Sequence, residues 1–118
     1  MRPRSVVLSL LIIGGVPAAL AAQDLGRIEA LGADGRTAHA RDSLLAWWDA
    51  EWTEASRSDR ERALWLRGLL TLDPVEASSS FRRMVIEYPG GSYTGPALHR
   101  LGSLAAAVCD TVAASEWY

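Results

Sequence analysis

The sequence predicts an all-α protein, a short array of helical hairpins behind an N-terminal leader. Three observations predict it. Apolar residues recur at helical spacing in successive segments. Helix start and stop signals punctuate those segments. No segment alternates apolar and polar residues over strand length.

The leader comes first. Met1-Arg2-Pro3-Arg4 is basic, Val6 to Val16 is mostly apolar, and Ala19-Leu20-Ala21 places small residues where a signal peptidase reads. This is the pattern of a secretory signal helix over 1–21, cleaved after Ala21 or Ala22. The alternative is an uncleaved anchor. A span needs about 20 apolar residues, and Gly14, Gly15 and Pro17 interrupt this one. The mature chain is thus expected to be periplasmic or secreted, with no stable membrane span. No Cys lies near the cleavage site, so lipid anchoring is not expected.

Residues 22–41 read as a loose leader. Leu25, Ile28 and Leu31 allow a short helix there, which Gly32 and Gly35 then break. Over 42–55, Leu44, Leu45, Trp48 and Trp52 form a helical stripe with Trp47 beside it. Ser58 and Glu61 have capping-box spacing. The helix they open has two apolar stripes: Ala63, Leu66 and Leu70, and Trp65, Leu69 and Leu72. A helix apolar on two sides is usually sandwiched. Asp73-Pro74-Val75-Glu76 starts another helix. Its single stripe is Ala77, Phe81, Met84, Val85 and Tyr88, and Pro89-Gly90-Gly91 stops it. Ser92 or Thr94 caps the next helix, whose stripe is Tyr93, Ala97, Leu101, Leu104, Ala105 and Val108. Asp110 marks a turn, and Thr111 to Tyr118 opens one more helix.

These segments repeat. Ala63-Leu64 matches Ala97-Leu98 and Gly68 matches Gly102, both 34 positions apart. Asp73 to Ser78 matches Asp110 to Ser115, and Phe81 falls opposite Tyr118, both 37 positions apart. A helix–turn–helix period of 34 is that of the tetratricopeptide repeat (TPR). The chain resembles that family through Leu64…Gly68, Leu98…Gly102, Ala77…Phe81…Pro89 and Ala114…Tyr118. The wording of residues 81–102 is similar to a periplasmic branch, the repeats of the Tol-Pal cell-division coordinator and of BamD-type outer-membrane assembly lipoproteins. Arg67 departs from the pattern, at a position usually apolar. The resemblance implies a TPR-like α-solenoid fragment over 42–118: a preceding helix at 42–55, a first pair at 58–89 and a truncated second pair at 92–118.

The resemblance also implies a function. Such arrays bind peptides or partner domains on a concave surface lined by the first helix of each pair. Trp65, Arg67, His99 and Arg100 are the partner-binding candidates. The expected protein is a non-catalytic scaffold or adaptor of the bacterial cell envelope. One alternative is the N-terminal module of a longer repeat protein whose activity lies in a further domain. Another is a structural protein that self-associates through Trp-rich edges.

Composition restricts other classes. The basic residues are all Arg, and the net charge is −2. Removal of 1–21 leaves ten Arg against 14 acids, a net charge of −4 over 97 residues. No basic run suggests nucleic acid as a partner. His39 and His99 are isolated from each other and from Cys109, so no metal site is expected. No nucleophile-elbow, zinc-protease or phosphate-loop motif suggests catalysis or a cofactor. Cys109, alone, forms no internal disulfide and reads as a small buried apolar side chain.

Overall fold

The computed structural model describes the backbone of residues 18–116 and the side chains of residues 24–109. Residues 1–17, most of the expected signal segment, lie outside the described residues, as do Trp117 and Tyr118. Among the described residues all regular structure is helical: α1 (Ala18–Ala33), α2 (Thr37–Glu51), a 3-10 turn (Trp52–Glu54), α3 (Arg57–Leu70), α4 (Pro74–Glu87) and α5 (Thr94–Glu116). None of these helices is long and apolar enough to cross a membrane.

The stretch read as a loose leader is a helix and a half. α1 runs through Gly32 and stops at Gly35, whose φ of 82° suits glycine. The Arg36 N–H donates to the Leu31 carbonyl and the Gly35 N–H to the Gly32 carbonyl, a Schellman stop. α2 then begins at Thr37, five residues before the expected start. Burial is the reason for the order. Leu25 is 0% exposed and Ile28 3%, packed with Ala40, Leu44 and Trp47 of α2 and with Ala63, Leu66 and Leu70 of α3.

α2 is also rotated from its expected face. Its buried side is Ala40, Leu44, Trp47 and Glu51, whereas Leu45 is 63% exposed. Trp47, placed beside the stripe by spacing alone, is the most buried indole of the described residues. The chain turns after α2 through the 3-10 turn. Arg60 fixes this corner: its Nε donates to the Trp52 carbonyl at 2.9 Å and its Nη2 to the Thr53 carbonyl at 2.6 Å. The α3 cap is Ser56, not Ser58, and its Oγ accepts the Asp59 N–H at 3.0 Å.

α3 lies between two cores, as two apolar sides require. One side joins α1 and α2. The other carries Leu64, which packs with Ala77, Phe81, Met84, Tyr88 and Ala97 of the α4–α5 hairpin. The second stripe is therefore Leu64 and Gly68 rather than Leu69 and Leu72, which remain exposed. Trp48, Trp52 and Trp65 touch both cores and seam them together.

α4 follows its signals. Asp73 Oδ1 accepts the Val75 N–H at 2.8 Å and Pro74 occupies the first turn. The helix ends at Tyr88, and Gly90 turns the chain at φ 77°. Thr94 ties the turn: its Oγ accepts from the Gly91 N–H at 3.0 Å and donates to the Tyr88 carbonyl at 3.3 Å.

α5 departs from expectation at its far end. It continues unbroken through Asp110 to Glu116, so no turn opens a further helix there. Asp73 is followed by Pro74 and has a side-chain cap bond, whereas Asp110 lies between Ala-rich turns and Thr111, which lets the helix run on. Ala97 is buried and Leu101 and Leu104 are half-buried, but Val108 is 58% exposed. Cys109, expected inside, is exposed.

The same burial pattern occurs twice. Ala40, Leu44, Trp47 and Glu51 of α2 are buried, and so are Ala77, Phe81, Met84 and Tyr88 of α4, 37 positions later. Ile28 and Gly32 likewise precede Leu64 and Gly68 by 36. The hairpin of α1 and α2 thus has nearly the residue spacing of the hairpin of α3 and α4, with a connection one residue shorter.

Candidate interaction groove

A groove of about 530 Å³ opens where α2 passes the corner between α3 and α4. Leu44, Leu45, Trp48, Leu70 and Leu72 make it apolar, and Arg41, Arg67, Asp49, Asp73 and Glu76 also line it. Leu72 is 81% exposed because the connection between α3 and α4 lifts it off both cores. The cap at Asp73 fixes that connection on one side. On the other, Thr71 Oγ1 donates to the Arg67 carbonyl at 2.6 Å.

The wall behind Leu45 is preorganised. Trp48 and Trp52, one helical turn apart, stack at 4.2 Å with planes 6° apart. The Arg67 guanidinium lies 5.1 Å from the Trp48 centroid, and those of Arg60 and Arg83 lie 5.3 and 5.0 Å from that of Trp52. Such cation–π contacts contribute about 0.5–1 kcal/mol each at exposed sites. They hold two half-buried indoles and three charged heads in a fixed ladder. Arg41 Nη1 donates to the Leu70 carbonyl at 3.1 Å, closing the end of α3 against α2. The surface can therefore offer an apolar floor with Arg41, Arg67 and Asp73 held in place around it.

The four residues singled out by spacing do not converge. Arg67 lines this groove. Trp65 faces the other way, since residues two apart on a helix point about 200° from each other. Its ring lies 5.4 Å from Phe81 and 5.4 Å from Tyr93, where it serves packing between α3, α4 and the start of α5. His99 and Arg100 are exposed on α5. No hydrogen bond, ion pair or ring contact joins them to Trp65 or Arg67 among the described residues. Leu45, Trp48 and Leu72 of the groove were missed as site residues. Their signal was present: a Leu beside the true α2 face, and a Leu just before a helix cap, both too apolar for exposed positions.

Across the fold, Glu29 and Arg62 pair at 3.3 Å and link α1 to α3. No cluster of three or more His, Cys, Asp or Glu side chains suited to a metal occurs among the described residues. No family model, curated protein or solved structure matches the chain.

Proposed function

We propose that this chain is a non-catalytic scaffold or adaptor of the bacterial cell envelope. In this reading it holds a peptide segment or domain of a partner protein on a TPR-like helical array. The observation that carries the proposal is the contact of Gly68 with Phe81. These two residues belong to the small-residue and aromatic pattern behind the resemblance, and they meet where α3 and α4 cross. The α1–α2 hairpin, whose spacing differs by one residue, supports reading it as a second unit. The groove beside Arg67 is the assigned partner surface. Its apolar floor, lined by side chains of both charges, suits an amphipathic segment better than a small polar metabolite.

The test uses the chain expressed from Met1 in a Gram-negative host. Recovery in the periplasm with its N-terminus processed near Ala21 supports the envelope assignment, and retention of an unprocessed chain in the cytoplasm overturns it. A photocrosslinking residue at Leu45 or Leu72 should then capture a discrete envelope protein. Arg67→Ala should abolish that capture. A crosslinker at Ile86, exposed on α4 but outside the groove, should not capture it. Equal capture from position 86 rules the groove out.

A further inference from the structure

The end of the α1–α2 hairpin away from its turn holds an acid without a partner. Glu51 is 9% exposed and lies on the buried side of α2, one turn beyond Trp47. It makes no hydrogen bond or ion pair among the described residues. It also sits in the last turn of α2, the negative end of the helix, where a carboxylate is disfavoured and no base is supplied. A buried carboxylate alone costs stability, and buried polar groups in folded proteins are otherwise partnered almost without exception. The bases nearby are engaged or distant. Arg27 pairs with Asp24 at 3.6 Å. Arg60 donates to the Trp52 and Thr53 carbonyls. His39 stands about 18 Å back along α2, at 1.5 Å per residue.

A cation arises at the facing position of α1. The two helices form a tight hairpin through Gly35 and so run antiparallel. Leu25 of α1 shares a core with Trp47 of α2, and Asp24 and Glu51 line the same groove. One turn before Leu25, on the same side of α1, is Ala22. One turn after Trp47, on the same side of α2, is Glu51. The backbone at Ala22 and the side chain of Glu51 therefore face each other across the hairpin. Removal of residues 1–21, the part of the envelope reading on which this inference rests, makes Ala22 the first residue. We propose that the α-ammonium created at Ala22 forms an ion pair with Glu51, so that processing supplies the buried acid with its partner. The same cut places Asp24 in the first turn of the shortened α1, where an acid favours the helix. Cleavage after Ala22 would expose Gln23 instead, whose amide closes on its own amine with loss of ammonia and removes the charge. The pairing thus selects cleavage after Ala21.

The experiment uses the chain expressed from Met1 and recovered from the periplasm, with its first residue read by intact mass. The sequence has no Lys, so the α-amine is the only aliphatic amine of the processed chain and an acylating ester reports on it alone. In the folded state the parent should be acylated about tenfold more slowly than Glu51→Gln, which keeps the shape and removes the charge. In concentrated urea the two should react alike. Urea melts give a second readout. Acetylation of the α-amine should lower the midpoint of the parent and leave that of Glu51→Gln unchanged, the non-additivity of a direct pair. A chain that starts at Ala22 and is acylated at one rate with and without the Glu51 charge overturns the pairing and leaves the envelope reading standing. So does an acetylation loss that is equal in the two proteins, or a chain that starts at cyclised Gln23. A chain that keeps residues 1–21 overturns both.

Discussion

A Cβ added to Gly68 would overlap one edge of the Phe81 ring, 2.5 Å from Cζ and 2.8 Å from Cδ1. The two helices therefore cross too closely for a methyl group at that point. Gly68→Ala gains about 1 kcal/mol of helix propensity. It must also displace a ring that is fully enclosed, and overpacking of this kind costs about 1–3 kcal/mol. The expected outcome in a urea melt is a net loss of stability. Phe81→Ala alone should cost about 3–5 kcal/mol. Gly68→Ala added to it should then be neutral or stabilising, a sign reversal that only direct contact produces. Gly102, 34 positions on, is the control. Its added Cβ meets nothing within 4 Å among the described residues, so Ala there should stabilise by about 0.5–1 kcal/mol.

The α3 cap distinguishes the structure from the reading of the sequence. Ser56 Oγ accepts the Asp59 N–H, whereas Ser58 is exposed inside the helix. Ser56→Ala should cost about 1 kcal/mol. Ser58→Ala should fall within about 0.5 kcal/mol of zero. Equal costs, or the reverse order, would restore the cap to position 58.

The two serines show why one layer of the fold was legible and another was not. Ser56…Asp59 and Ser58…Glu61 have the same spacing, and both precede the same apolar run. Local chemistry alone cannot choose between them. The choice comes from Arg60, which must reach back to the Trp52 and Thr53 carbonyls and so sets where α3 begins. The α4 start was legible because Asp73 and Pro74 act locally. The face of α2 was not, since Trp47 and Leu45 exchange places only when α1 arrives to bury Trp47. α1 itself was hidden because Gly32 lies within the helix and only Gly35 ends it. Of the candidate site, Arg67 was legible as an unusual charge in an apolar pattern. Leu45 and Leu72 needed the corner between α3 and α4, a tertiary feature.

Arg60 links the carbonyl end of one helix to the beginning of the next. It makes two charge-assisted hydrogen bonds and lies over Trp52. Arg60→Ala should lose about 1–2 kcal/mol, discounted from the usual value of charged hydrogen bonds because the group is half-buried. Arg60→Lys should recover little of it, since a point charge cannot bridge two carbonyls as a planar fork does. Tryptophan fluorescence reads the same change locally. Loosening of the Trp48–Trp52 stack should shift the emission to longer wavelength in both variants. A lysine variant as stable as the parent would mean that charge alone holds the corner.

Asp110 decides whether the 37-residue register continues past α5. The helix runs through this position without a break. In a helix interior, Ala exceeds Asp in propensity by up to about 0.7 kcal/mol. At an N-cap the same change loses about 1 kcal/mol. Asp110→Ala should therefore raise stability slightly or leave it unchanged, whereas Asp73→Ala should lower it. Thr111→Pro gives the sharper contrast. Proline is tolerated at the first position of a helix, as Pro74 is, but breaks an interior by removing a hydrogen bond and clashing with the preceding turn. Far-UV circular dichroism of Thr111→Pro should show a loss of helix confined to the end of α5. A silent Thr111→Pro together with a destabilising Asp110→Ala would place a helix start at Asp110 and restore the second pair that the sequence pattern predicts.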